Sequence, residues 1–305
     1  MKKFMTTTLS FSLFTILFYC TALFLCGMIA PPILSPNLNY RTGSSGHMHT
    51  RLAELKTYGD VDILILGSSH AYRGFDTRIF AENGYKAFNL GSSNQTPTQA
   101  KILLKKYLKD LTPELIIYEV YPNSFAIDGV ESSVDLIAND EIDFHSIEMA
   151  VEINNIKTYN TLVYGFTREI LGLNENFSEP NVKGHDTYVT GGFIEKSISF
   201  YQPRNIKNTE LTMHDDQLES FSEIVELANH NNIELILVYA PLTKSYYKSI
   251  KNSATYDSLV HSHLKFYNFN ELMNLDDSLY FYDADHLNQN GVEIFNNKLI
   301  NLLEE

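Results

Sequence analysis

The residue types best suited to covalent chemistry stand near opposite ends of the chain. Ser68 and Ser69 follow Gly67 immediately after an apolar run at 61–66, VDILIL. Asp283 and His286 stand three residues apart, just ahead of a helical pattern at the C-terminus. A serine hydroxyl becomes a nucleophile when an imidazole takes its proton, and a carboxylate on the other ring nitrogen fixes the tautomer and stabilises the imidazolium. The spacing Asp-x-x-His on a loop lets the carboxylate fold back onto the ring. The same residues have ordinary structural uses: serine caps helices, Gly-Ser-Ser forms turns, and a loop histidine is often only solvated. Asp285, adjacent to His286, is a second candidate for the orienting acid, although its side chain is expected to point elsewhere.

These groups must be positioned by a fold, and the pattern between them is that of alternating strands and helices. The run at 61–66 reads as a strand buried on both faces of a parallel sheet. Gly67 ends it where the chain turns, at the carboxyl edge where open α/β folds place ligands. Further strands are predicted at 86–90, 114–120, 233–239 and 265–269. A helix capped by Thr96 with Pro97 in its first turn runs to about residue 109. Other helices are expected at 51–58, 147–171, 216–229, 246–261 and 288–303. Strand–helix alternation predicts a three-layer αβα sandwich with a central parallel sheet. The weaker pattern at 125–208 reads as an insertion forming a lid or substrate wall, its aromatics (Tyr159, Tyr164, Phe166, Tyr188, Phe193, Phe200, Tyr201) serving core packing or sugar stacking.

Together the two loops resemble those of the SGNH/GDSL-type serine hydrolases and acyltransferases, which have a flavodoxin-like fold. In that family a strand leads into Gly-Asp-Ser, and Asp-x-x-His opens the last helix. By this resemblance Gly67-Ser68-Ser69 makes Ser69 the nucleophile, with Ser68 in place of the usual aspartate. Asp283 and His286 complete a triad, followed by Leu287 and Gly291. Asn89-Leu90-Gly91 matches the second block, which implies that the N–H groups of Gly91 and Ser69 form the oxyanion hole. The third block, Gly-x-Asn-Asp, is absent; after the third strand stands Glu119-Val120-Tyr121-Pro122-Asn123-Ser124, and Asn123 or Asn94 is the candidate amide donor. Arg73, one turn past Ser69, is either a site for an anionic acceptor or a structural ion-pair residue. Asn94 is a further substrate-binding candidate.

Residues 9–30 contain no charge and are long enough to cross a ~30 Å hydrocarbon core at ~1.5 Å per residue. Lys2 and Lys3 precede them, so the N-terminus is expected in the cytoplasm and the body outside the cell membrane. This divides the chain into a tail (1–8), a transmembrane anchor (9–30), a linker (31–50) and a catalytic domain (51–305). A cleaved signal peptide is the alternative, although the apolar region exceeds the usual ~7–15 residues. The net charge of −14 makes the body a poor partner for nucleic acid. Both cysteines, Cys20 and Cys26, fall in the apolar segment, so the body can form neither a disulfide nor a thiolate metal site. No cofactor is expected. The pairs His47/His49 and His261/His263 have the spacing of an exposed strand clamp but lack a third ligand, so no metal is expected either.

An anchored protein with a Gly-Ser-Ser first block resembles the envelope branch of the family, which includes the D-alanyl transfer protein and exopolysaccharide O-acetyltransferases. The resemblance implies acyl transfer to, or ester hydrolysis on, an envelope or exported polysaccharide through an acyl-serine. Its partners would be an acyl donor, a polysaccharide acceptor and polysaccharide-assembly proteins. The alternatives are an inactive envelope protein that keeps the fold to bind glycan or an assembly partner, and a released lipase or thioesterase.

Overall fold

Strands form where the apolar runs are unbroken, and helices where polar residues return with a helical period. The computed structural model describes residues 1–43, 45–260 and 264–304. The chain begins with α1 (Lys2–Ile29) and α2 (Met48–Tyr58), then enters the sheet at β1 (Ile63–Leu66). Two short helices, α3 (Ser69–Gly74) and α4 (Thr77–Glu82), lead to β2 (Ala87–Asn89), α5 (Pro97–Leu111) and β3 (Leu115–Glu119). Three helices follow, α6 (Val130–Asn139), α7 (Phe144–Ile153) and α8 (Ile156–Ile170), and then three short strands, β4 (Val182–Lys183), β5 (Asp186–Val189) and β6 (Phe193–Lys196). The last part holds α9 (Asp215–His230), β7 (Glu234–Tyr239), α10 (Lys244–Ser249), α11 (Ser253–Val260) and β8 (Lys265–Asn268). It closes with α12 (Phe269–Leu272), α13 (Asp277–Tyr280) and α14 (Gln289–Leu303).

The main sheet has the order β2-β1-β3-β7-β8, and every neighbouring pair is parallel. The strand order reverses at β1, so the turn after β1 sits at the switch point where such sheets bind ligands. All four residues of β1 are buried. Ile63 and Ile65 face a core with Phe75, Phe80 and Phe295, while Leu64 and Leu66 face the opposite core with Leu103, Leu104 and Phe221. Helices on both faces give the three-layer α/β architecture. α5 starts as predicted, with a capping box between Thr96 and Gln99 and proline in the first turn.

Four features differ from the sequence reading. The helix expected at 147–171 is broken at Asn154, which takes a left-handed φ of 46°, and restarts with Asn155 as cap. The helix expected at 246–261 divides into α10 and α11, because Ile250 leaves the helix to bridge Thr209. The end of the 31–50 stretch is not a free tether: Gly46, His47 and Met48 are buried against the body. Within 125–208, β4, β5 and β6 form an antiparallel sheet that no periodicity announced. Of the aromatics there, Tyr164, Phe193 and Tyr201 are buried, whereas Phe166 and Phe200 are exposed. His261 and His263 lie outside the described residues.

Candidate active site

The turn after β1 is built for close approach. Gly67 has a φ of 138°, and a Cβ there would lie 2.6 Å from Glu119 Cβ. A Cβ on Gly91 would lie 2.7 Å from Ala71 Cβ and 3.0 Å from the carbonyls of Gly67 and Ser68. These two glycines let the β1 and β2 turns nest, which fixes where Ser69 begins α3. Ser68 caps that helix, its hydroxyl accepting from the N–H of His70. Its own N–H and hydroxyl donate to Glu119 Oε2, at 3.1 and 2.9 Å.

On the far loop, Asp283 Oδ1 accepts from the backbone N–H groups of Asp285 and His286, at 3.1 and 2.7 Å. This turn carries His286 to the carboxyl edge of the sheet. Its Nε2 lies 2.8 Å from Ser69 Oγ, and its Nδ1 lies 3.1 Å from both oxygens of Asp283. Residues separated by more than two hundred positions thus meet in the order hydroxyl, imidazole, carboxylate. The side chain of Asp285 does not turn away: its Oδ1 is 3.3 Å from His286 Nδ1, and its Oδ2 is 3.8 Å from His70 Nε2. The imidazole of His286 is stacked between His70 (centroids 4.5 Å, planes 8° apart) and Tyr282 (5.4 Å, 8°). Pattern reasoning overlooked both rings.

Burial opposes a charge on His286, but the hydrogen bonds and charges of Asp283 and Asp285 outweigh it and raise the imidazole to about 9. Asp285 is held well below the usual carboxylate range: its burial works against ionisation, and His286 more than compensates. His70 is pushed down to about 3, first by burial and then by the charge of His286, so it stacks as a neutral ring. Glu119 is pushed up to about 7 by burial, against the hydrogen bonds it accepts from Ser68.

The cleft over Ser69 has a volume of about 410 Å³ and is bounded by Tyr72, Arg73, Ser93, Asp186, Lys196 and Tyr282, among others. Arg73 makes a bidentate pair with Asp186 of β5, at 2.9 and 2.7 Å. This pair clamps the antiparallel sheet beside the site, and Arg73 also lines the cleft. Lys196 of β6 lies 3.7 Å from Asp186 and stands over the Tyr282 ring.

Several expected residues are placed differently. The N–H of Gly91 donates to Asn89 Oδ1 at 3.1 Å, and its carbonyl accepts from Arg51, so this backbone unit is already engaged. Ser69 opens α3, and a first-turn N–H has no partner within its own helix. Asn94 donates to Glu131 Oε2 at 2.7 Å and does not line the cleft, and neither does Asn123, which sits in a turn at 122–125. His47 and His49 form no strand clamp: His47 is buried beside the cleft, and His49 packs edge-on against Phe177. His70, Asp285 and His286 offer donor atoms within 4.8 Å of one another. Both nitrogens of His286 already have partners in Ser69 and the two carboxylates, which suits proton handling better than metal ligation.

No protein-family model matches the chain, and no curated protein does. Among solved structures the chain is similar to a Bacteroides fragilis protein described as a candidate acylhydrolase, at 13% identity over 86% of this chain and 97% of that one, with a TM-score of 0.43. It is also similar to a GDSL-like lipase from Bacteroides thetaiotaomicron, at 14% identity over 85% and 98% of the two chains, with a TM-score of 0.39. A third similar structure is a Streptococcus pneumonia protein described as a candidate platelet activating factor, at 12% identity over 84% and 91%, with a TM-score of 0.44.

Proposed function

We propose that this chain is a serine-dependent esterase or O-acyltransferase, acting on O-acetyl-type esters of an envelope or exported polysaccharide and held to the cell membrane by α1. The observation that carries the reading is the continuous contact from Ser69 Oγ through His286 to Asp283. In this mechanism His286 Nε2 takes the hydroxyl proton as Ser69 Oγ attacks the ester carbonyl. The N–H of Ser69 faces the developing oxyanion. The imidazolium, held by Asp283 and Asp285, then gives its proton to the leaving alkoxide, leaving an acyl-serine. A sugar hydroxyl or water, deprotonated by His286, attacks that ester and restores Ser69. Whether the acyl group reaches sugar or water sets transferase apart from hydrolase.

Support for an extended, hydroxyl-rich substrate comes from the shape and lining of the cleft. Ser45 and Ser93 also border a second cavity of about 490 Å³, with Asn39, Asp128, Glu131 and Asn155 in its walls. Support for the anchor is α1 itself, 28 residues long with a mean hydropathy of 2.1 over its most apolar window and none of that window buried. Lys2 and Lys3 favour a cytoplasmic N-terminus.

A second reading, a glycan-binding protein without turnover, draws on the engaged N–H of Gly91, which removes one expected oxyanion donor. A fluorophosphonate probe separates the two. Labelling of the wild-type protein that is lost in S69A supports the enzyme. A wild-type protein that stays unlabelled while binding glycan overturns it.

A further inference from the structure

α1 does not stand clear of the body. Tyr19 donates to Asn160 Oδ1 at 2.5 Å, Phe24 packs on the Tyr164 ring at 5.8 Å, and Arg168 Nη1 lies 3.8 Å from Met28 Sδ. The partners advance together along both helices, so α8 runs beside the last third of α1 in the same direction. Among the described residues, the apolar stretch from Phe4 to Phe18 has no part of the body at its side and is exposed throughout. At ~1.5 Å per residue it spans about 22 Å, well short of a ~30 Å hydrocarbon core. The shortfall of about 8 Å has to come from the part of α1 that carries α8 at its side.

α8 suits that place. Ile156, Phe166 and Ile170 are half or more exposed and, with half-buried Val163, share one face at helical spacing, interrupted at Tyr159, which packs on the core. Its polar Asn160 and Thr161 turn inward and donate to the carbonyls of Asn37 and Asn39. Higher up, level with the end of α1, Arg41 and Arg168 border a cavity with Tyr40 and Tyr164. Among the described residues neither arginine is ion-paired to a carboxylate. Guanidinium and tyrosine side chains at the end of a spanning helix match the phosphate and interfacial levels of a bilayer.

We propose that α8 is a second membrane contact. Its stripe of Ile156, Val163, Phe166 and Ile170 lies in the leaflet that surrounds the C-terminal third of α1, with Arg41 and Arg168 at the lipid phosphates. The occupant of this face is phospholipid, and the proposal rests on the reading of α1 as a membrane anchor. It seats the body against the bilayer instead of leaving it on a tether.

The chain contains no tryptophan, so a single introduced one is a clean reporter. Full-length F14W, I156W, F166W and I294W would each be reconstituted in phosphatidylcholine vesicles with or without bromine on the acyl chains. Position 14 reports on the anchor, and Ile294 is exposed on α14, across the sheet from α8. Quenching and blue-shifted emission at positions 156 and 166, comparable to those at 14 and absent at 294, are expected. Quenching at 14 with none at 156 and 166 overturns the proposal and leaves the anchor intact, whether water or a second copy of the chain covers the stripe. No quenching at 14 overturns the anchor and this proposal with it.

Discussion

His286 has two carboxylates on one ring nitrogen and two aromatic rings on its faces, and this sets how its activity should respond to pH. As the proposed general base it must be neutral, and the carboxylates raise it to about 9. The ratio kcat/KM on a small acetyl ester is therefore expected to climb through neutral pH and level off only above about 9. D285N removes one carboxylate and should move that acid limb down by about 1–3 pH units. D283N should cost more turnover, because Asp283 meets the ring nitrogen with both carboxylate oxygens at 3.1 Å, whereas Asp285 brings one oxygen to 3.3 Å. S69A and H286A should each leave only about 10³–10⁴-fold over the uncatalysed rate, and the double variant should be little worse, since the members act as a unit. These residues were legible in the sequence because their types and spacing imply a role without coordinates. His70 was not legible, and Asp285, the second candidate acid, was expected to point away, because neighbours in sequence usually diverge; here one turn folds both acids onto a single imidazole while α3 slides His70 beneath it.

The elements hold these groups through pairings of unequal legibility. The parallel strands were readable because strands buried on both faces are unbroken apolar runs. The sheet of β4, β5 and β6 was not, because its strands are two to four residues long and largely half-exposed. The clamp between Arg73 and Asp186 joins positions 113 apart, which no periodicity reports. D186N should weaken that clamp by about 1.5–3 kcal/mol, the range for hydrogen bonds to charged groups. Faster hydrogen exchange across 182–196 and a raised KM should accompany the loss, while the sheet around β1 stays protected. At the end of β3, Glu119 holds the β1 turn with a carboxyl that burial raises from 4.5 to about 7. A buried acid with a raised value binds its proton more tightly folded than unfolded, so its contribution is full below 4.5 and is lost as pH rises through about 7. E119Q keeps an acceptor for Ser68 and cannot ionise. Its Tm should fall less than that of the wild type between pH 5 and 8, scanned in parallel.

For the whole molecule, the question is whether α1 and the proposed chemistry depend on each other. α1 meets the body along α8, while the catalytic contacts lie at the carboxyl edge of the sheet and are made by the turns after β1 and before α14. The core that fixes Ser69 is formed by β1, β2, β3 and the helices stacked on them, and no residue of α1 belongs to it. A chain starting at residue 31 loses the hydrogen bond between Tyr19 and Asn160 and the packing on Tyr164, so its Tm should drop. The bond itself is worth about 0.5–1.5 kcal/mol. Its kcat/KM on a small soluble acetyl ester should equal that of the full-length protein, because the distance between Ser69 and His286 is set elsewhere. Turnover that vanished together with α1, in a chain whose circular dichroism remained native, would mean that α1 shapes the cleft over Ser69 and that α8 transmits its position to the wall of the site.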